Sequence, residues 1–197
     1  MDLLIDSQYY PSIAYVSEIY RCEKIIINDL ELFNKQSFRN RSIILGANGA
    51  LDLIVPVNHQ SARKMNKLEV NTTERWATIH ARSIESGYKR SPYYEYFSEA
   101  LLQPLLAEKH TLLELNTAIL TAILKILQIE KEIFYLSAIN DYNPSNTKDL
   151  TGIIHPKKNE ISIEYPVYQQ VFEKNHFSNM SILDPIFCIG RETILLF

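Results

Sequence analysis

The stretch LLIDSQYYPSIAYVSEIYRCEKIIIN, residues 3–28, decides the fold class. It opens on the short apolar run Leu3-Leu4-Ile5, which reads as a buried strand. Residues 11–20 follow with Pro11 first, the signature of a helix start, because a fixed φ and a missing N–H do no harm in a first turn. Residues 24–28 are rich in isoleucine and read as a second strand. Strand, helix and strand in that order make a βαβ unit, whose crossover implies parallel pairing in one sheet.

Outward from that unit comes a hairpin. The apolar runs Ser42-Ile43-Ile44-Leu45 and 51–57 flank Asn48-Gly49, and this dipeptide between such runs is the strongest local hairpin signal. A type I′ turn needs positive φ at both central residues, which Asn tolerates and Gly accepts. From Thr73 the pattern turns helical, with Trp76, Ile79, His80, Ser83 and Gly87 on one stripe, up to a break at Pro92. Residues 93–106 and 111–129 form two further helices, the second opened by a capping box of Thr111 and Glu114. Residues 141–149 read as an exposed loop, Ile161 and Ile163 as a strand, and 166–173 as a short helix. Ser181 caps a last helix that stops near Gly190. The expected architecture is α/β: a mixed sheet with an N-terminal βαβ unit and a β-hairpin, packed by several helices, in one domain over residues 1–197.

Composition removes several function classes. The 20 Lys and Arg against 23 Asp and Glu leave a net charge of -3, so no nucleic-acid partner is expected. The opening MDLLIDSQYY has two acids and no basic region before a long apolar run, which argues against a secretory signal and for a cytoplasmic location. Residues 112–129, the longest apolar segment, are broken by Glu114, Asn116 and Lys125, whereas a membrane span needs about 20 largely uninterrupted apolar residues. A core helix is expected there. Cys22 and Cys188 match neither a C-x-x-C pair nor a zinc pattern, so both are expected as reduced thiols. The histidines at 59, 80, 110, 155 and 176 show no metal-ligand spacing, and no metal is expected. Without a phosphate loop, a dinucleotide fingerprint or a nucleophile elbow, no cofactor is expected either.

The densest polar cluster is Lys35-Gln36-Ser37-Phe38-Arg39-Asn40-Arg41. In extended chain Arg39 and Arg41 point to one face, where two guanidinium forks suit a phosphate or carboxylate, and Lys35 adds charge. The plain alternative is a solvated strand edge. His80 shares a helical face with Trp76 and Ser83, and a neutral imidazole there can take a proton from an attacking amine or hydroxyl. Its plain alternative is a satisfied, partly buried histidine. The aromatic run Tyr93-Tyr94-Glu95-Tyr96-Phe97 after Pro92 offers either a stacking wall for a sugar or base, or core packing. A thiol role for Cys188 beside His176 has nothing to bring the two together in space.

Several of these segments resemble the WbqC-like family: Tyr10-Pro11-Ser12-Ile13, the Lys35 to Arg41 cluster, Gly46-Ala47-Asn48-Gly49 and Val55-Pro56-Val57. The likeness continues in 76–80, Arg82-Ser83-Ile84-Glu85-Ser86, Ser91-Pro92-Tyr93-Tyr94-Glu95-Tyr96, His155-Pro156-Lys157 and Met180-Ser181-Ile182-Leu183-Asp184, so it spans nearly the whole length. The tail departs from the pattern at Pro185, Cys188 and Arg191, where an apolar helix former, Asn and Pro are expected, and Pro185 bears on the geometry of Asp184. The family takes its name from a gene of O-antigen clusters, which implies a part in assembling or decorating a bacterial surface polysaccharide. The expected activity is a cytoplasmic transferase that modifies an amino-sugar or its nucleotide-linked precursor by N-acylation. Arg39, Arg41 and Lys35 would hold the anionic nucleotide sugar, His80 would deprotonate the amine, and Tyr88 or Tyr93 would line the sugar pocket. Tyr10 and Asp184 complete the candidate substrate contacts. One alternative is a nucleotidyltransferase-like enzyme, by analogy with its leading strand, polar Gln8-Tyr9-Tyr10-Pro11 loop and helix. The other is a non-catalytic scaffold in contact with glycan-biosynthesis enzymes.

Overall fold

A computed structural model describes residues 1–58, 63–73, 75–108, 110–157, 167–172, 177 and 180–197. The βαβ unit forms: β1 (Asp2–Ile5) and β2 (Ile25–Ile27) pair in parallel, with Leu3 opposite Ile25 and Ile5 opposite Ile27. The helix between them, α1 (Ile13–Arg21), starts two residues later than Pro11. Its N-cap is Ser12, whose side chain accepts from the Tyr15 N–H, so Pro11 belongs to the entering loop and not to the first turn. Residues 13–19 of α1 are all buried, because both the sheet and the C-terminal segment cover it.

β5 (Ile133–Tyr135) and β6 (Thr147–Asp149) complete a four-stranded parallel sheet in the order β5-β2-β1-β6. Numbered by their succession along the chain, these strands lie third, second, first, fourth. The first three follow the order of one mononucleotide-binding half of a doubly wound fold, with β6 where a second half would begin, and the reversal of direction lies between β1 and β6. β6 falls where an exposed loop was expected. Its Thr-Lys-Asp sequence carries no apolar alternation because only its backbone joins the sheet: Asp2 lies opposite Thr147 and Leu4 opposite Asp149, at a polar edge.

β3 (Arg41–Gly46) and β4 (Gly49–Ile54) make the antiparallel hairpin as a separate two-stranded sheet. Gly46 lies opposite Gly49, so the corner is Ala47-Asn48, one residue earlier than the type I′ reading required. In the hairpin only Gly49, the residue directly after the corner, takes positive φ, at 109°. α2 (Trp76–Tyr88) rests on β3. Its buried residues are His80, Ile84, Gly87 and Tyr88, while Ile79 is exposed, so the stripe is rotated from the one read in the sequence. Gly87 makes a close approach on that face, where a Cβ would stand 2.7 Å from the Leu45 carbonyl oxygen. The Leu45 N–H donates to the Tyr88 hydroxyl at 3.0 Å on the same face.

α3 (Tyr94–Leu106) and α4 (Leu112–Leu127) pack against each other, and α4 opens with the expected capping box: Glu114 N–H to Thr111 Oγ1 at 3.2 Å and Thr111 N–H to Glu114 Oε2 at 3.0 Å. No helix among the described residues is long and apolar enough to cross a membrane. Residues 167–172 are not helical. There Gln170 acts as a strand partner would, its Oε1 accepting from Phe177 N–H at 2.9 Å and its Nε2 donating to Phe177 O at 3.0 Å. The ends of that expected helix, 166 and 173, and the strand expected at Ile161 and Ile163 lie outside the described residues. α5 (Leu183–Ile189) ends at Gly190, and a 3₁₀ turn follows over Gly190–Leu196. Just before α5 the chain is stitched into the fold from both sides, by Ile13 N–H to Met180 O at 3.1 Å, Ser181 N–H to Ile43 O at 2.8 Å and Ile182 N–H to Pro11 O at 2.8 Å.

Gly49→Val is expected to cost about 1–3 kcal/mol, since a β-branched residue is forced to positive φ. Urea denaturation should show a lower midpoint with an unchanged slope, and Ala47→Gly, at the corner where φ is negative, should move it far less.

Candidate functional site

The loop that leaves β1 at the carboxyl edge, Asp6 to Tyr10, sends each side chain to a different part of the molecule. Asp6 Oδ1 accepts from Gly152 N–H at 3.0 Å, tying the exit of β1 to the exit of β6 at the point where strand order reverses. Ser7 Oγ accepts from Asn116 Nδ2 on α4 at 3.0 Å, and Gln8 Nε2 donates to Ile154 O at 3.4 Å. The Tyr9 hydroxyl and His80 Nδ1 share a hydrogen bond of 2.9 Å. Tyr10 has φ +37°, a costly value for a bulky residue. Three bonds hold it there: its hydroxyl donates to Leu101 O at 2.7 Å, and its carbonyl accepts from Ser42 Oγ at 2.8 Å and Ser181 Oγ at 2.9 Å.

Behind this loop lies a buried ion cluster. Arg39 donates from Nε to Glu31 Oε1 at 2.7 Å and from Nη2 to Oε2 at 2.5 Å, and its Nη1 is 3.4 Å from Asp6 Oδ2. Side-chain exposures are 4% for Arg39, 0% for Asp6 and 11% for Glu31. Burial raises the carboxyl groups of Asp6 and Glu31 above their ordinary range against the opposing pull of Arg39. Burial draws the guanidinium down, but Glu31 and Asp6 outweigh it and hold it above its usual value. Around the cluster Gln8 Oε1, Asn116 Oδ1 and Thr151 Oγ1 are buried and take no hydrogen bond from the described residues. Each such atom costs about 1–3 kcal/mol unless water or another group meets it.

One strand over, Asp29 ties the exit of β2 to that of β5. Its Oδ1 accepts from Ser137 N–H at 2.9 Å and its Oδ2 from Ser137 Oγ at 2.5 Å. Beyond it, the chain leaving β2 and residues 63–68 enclose a cleft of about 380 Å³ lined by Leu32, Phe33, Asn34, Lys35, Asn58, Arg63 and Leu68. The side chains of Lys35 and Arg63 make no ion pair or hydrogen bond with the described residues. Lys157 Nζ donates to Gln36 Oε1 at 2.5 Å and brings a third cation to the same turn. Among the described residues, no group of His, Cys, Asp or Glu could hold a metal ion.

The residues singled out in the sequence thus fall in separate places. Lys35 is in the cleft. Arg39 sits in a turn, not in extended chain, with its fork closed on carboxylates, while Arg41 on β3 donates to Asp52 Oδ2 across the hairpin at 3.0 Å. The two guanidinium groups do not share a face. His80 is 6% exposed, and burial pushes its imidazole down to about 4; the Trp76 ring meets its edge at 5.4 Å. Tyr88 is fully buried, its phenol pushed up first by burial and then by Asp184. Asp184 Oδ2 accepts from Tyr168 OH at 2.5 Å and Gln170 Nε2 at 2.8 Å. Pro185 leaves that geometry intact, because it stands in the first turn of α5, where no helical N–H bond is lost. Tyr93 stacks on Phe97 with ring centroids 6.2 Å apart and covers Gly190, so this part of the aromatic run packs inward. Cys188 is buried, and burial followed by Asp184 pushes its thiol up to about 12. Asp6, Gln8, Glu31 and Arg63 were missed. The signal for the first two was available: polar residues directly after the first strand of a βαβ unit.

Arg39→Met leaves two buried carboxylates without a partner and should cost about 3–5 kcal/mol in urea denaturation, whereas Arg41→Met, at a partly exposed pair, should cost about 1 kcal/mol or less. His80 gives a pH test. Its folded pKa lies below the unfolded 6.5, so its contribution is complete above pH 6.5 and is lost as pH falls toward 4, where the unfolded chain binds a proton that the folded one refuses. The loss should reach roughly 3 kcal/mol, and His80→Gln should flatten that part of the stability profile.

Neither a curated protein nor a solved structure matches the chain. The pattern of the WbqC-like protein family matches residues 6–160, which takes in Asp6, the ion cluster, the cationic cleft, the hairpin and α2 to α4. The likeness noted at Met180 to Asp184 lies beyond the matched span. With well over half of its length matched, the chain belongs to the WbqC-like protein family.

Proposed function

We propose that the protein is a transferase acting on an anionic, nucleotide-linked amino-sugar precursor in the assembly of a bacterial surface polysaccharide, and that the cleft beyond β2 receives the phosphates. The observation that carries this reading is the pairing of Lys35 and Arg63, two cations with no carboxylate partner among the described residues, across one cleft near the carboxyl edge of a parallel sheet. Ligands of open α/β sheets bind outside the carboxyl ends of the strands, and phosphates take charge-assisted bonds from such cations.

The neighbouring cluster supplies the complementary end. It has two carboxyl groups to one guanidinium, and Glu31 is its most exposed member. An ammonium group brought to Glu31 would balance the second carboxylate. Glu31, whose carboxyl is raised by burial, is the group proposed to take the proton from the amine in place of His80, whose imidazole is pushed down to about 4. In this reading His80 orients Tyr9, and Arg39 fixes Glu31 and Asp6 instead of touching substrate.

The strand order favours a second reading, a nucleotidyltransferase-like enzyme, since that order is shared with mononucleotide-binding halves. Release of pyrophosphate from a nucleoside triphosphate and a sugar phosphate would select it. A thermal-shift series with nucleotide sugars, with and without an amino group, tests the first reading. A ligand at about 100 times its Kd should stabilise by roughly 2.7 kcal/mol, a shift of several degrees. The shift should be smaller in Lys35→Ala and Arg63→Ala and unchanged in Arg41→Ala. Equal shifts in all variants would remove the cleft from the proposal, and no shift with any ligand would turn the reading to a partner-binding protein.

A further inference from the structure

Two more clefts share a wall. One, of about 450 Å³, lies between the hairpin corner at Ala47 and the second half of α2, where Arg82 and Ser86 line it. The other, of about 440 Å³, runs past Ser91, Gln170 and Cys188. Arg90, Val171 and Phe172 line both. No residue here lines the cleft beyond β2.

Charge and shape point the same way. Lys89 is held by Glu85 at 2.9 Å, so that pair is neutral, but Arg82 and Arg90 are exposed and bond to none of the described residues through their side chains. Two unpaired guanidinium forks on one patch match the oxygens of a phosphate better than lysines would, because each can give paired bonds. Phe172 is only partly buried and packs on the core from one side. The segment that carries it is anchored by Gln170, which bonds Phe177 and Asp184 at once. A fixed aromatic ring beside two forks is what a base joined to a phosphate requires.

We propose that this double cleft binds a nucleoside phosphate, with the phosphate on Arg82 and Arg90 and the base against Phe172. The site is independent of the cleft at Lys35 and Arg63, and a transferase that joins two phosphate-bearing reactants needs two such places. Whether the nucleotide is free or the nucleotide part of a coenzyme is an outcome of the same test.

The test is an amide-resolved NMR titration of the full chain with UMP, AMP, coenzyme A and inorganic phosphate. Saturable shifts at Arg82, Ser86, Arg90 and Phe172 are expected with at least one nucleotide, and coenzyme A alone would assign the site to a coenzyme. The double variant Arg82→Gln, Arg90→Gln should weaken binding roughly tenfold or more with its remaining spectrum unchanged. Phe172→Leu should weaken the nucleotide and not inorganic phosphate, and Lys35→Ala should leave these shifts as they are. Shifts absent from these amides, binding unaltered by the double variant, or inorganic phosphate binding as tightly as every nucleotide would each overturn the proposal.

Discussion

Arg39 carries a permanent charge into a region that water scarcely reaches, and a guanidinium there must be met by anions or the fold does not close. It is met from two strands. Asp6 stands directly after β1 and Glu31 shortly after β2, while the Arg39 carbonyl accepts from Asn116 of α4 at 2.8 Å. One side chain and its own backbone therefore set the spacing of the two central strand exits and the seating of the longest helix. The cleft beyond β2 inherits its position from the same contacts, because Glu31 belongs to the segment that forms its wall and its O accepts from Met65 N–H at 3.1 Å.

The electrostatics of that edge have two parts. In the buried cluster, carboxylates outnumber the one guanidinium and are raised by burial. Beside it, Lys35, Arg63 and Lys157 bring cationic side chains. In the proposed reading, the two charge signs side by side favour a dipolar ligand over one of a single sign.

Local chemistry made much of this legible. The isoleucines of β2, the apolar run of β1 and the Thr111–Glu114 capping box each state their structure within a few residues, and the hairpin announced itself through Asn48-Gly49. What remained hidden depends on contacts between distant residues. β6 is a strand only because β1 offers it a ladder, Gln170 prevents a helix by bonding Phe177, and the buried face of α2 is set by its packing on β3. The arginines illustrate the limit most clearly. Spacing suggested that Arg39 and Arg41 face one way, but a turn at Phe38-Arg39 sends the first inward, and no local pattern reveals which carboxylates await it.

The carbonyl of Tyr10 receives hydroxyls from Ser42 and Ser181, and the backbone around Ser181 is stitched to Pro11, Ile13 and Ile43. This brings the exit of the first strand under the control of residues made some 170 positions later. During synthesis the emerging N-terminal portion can form its local turns and helices, yet the strained Tyr10 conformation lacks one of its three holding bonds until residues 180–182 leave the ribosome. Contacts of such sequence separation are also slow to form from the unfolded chain. The β1 loop is therefore completed only when the C-terminal segment is in place, and a nascent chain halted short of Ser181 would lack one of the bonds that hold Tyr10.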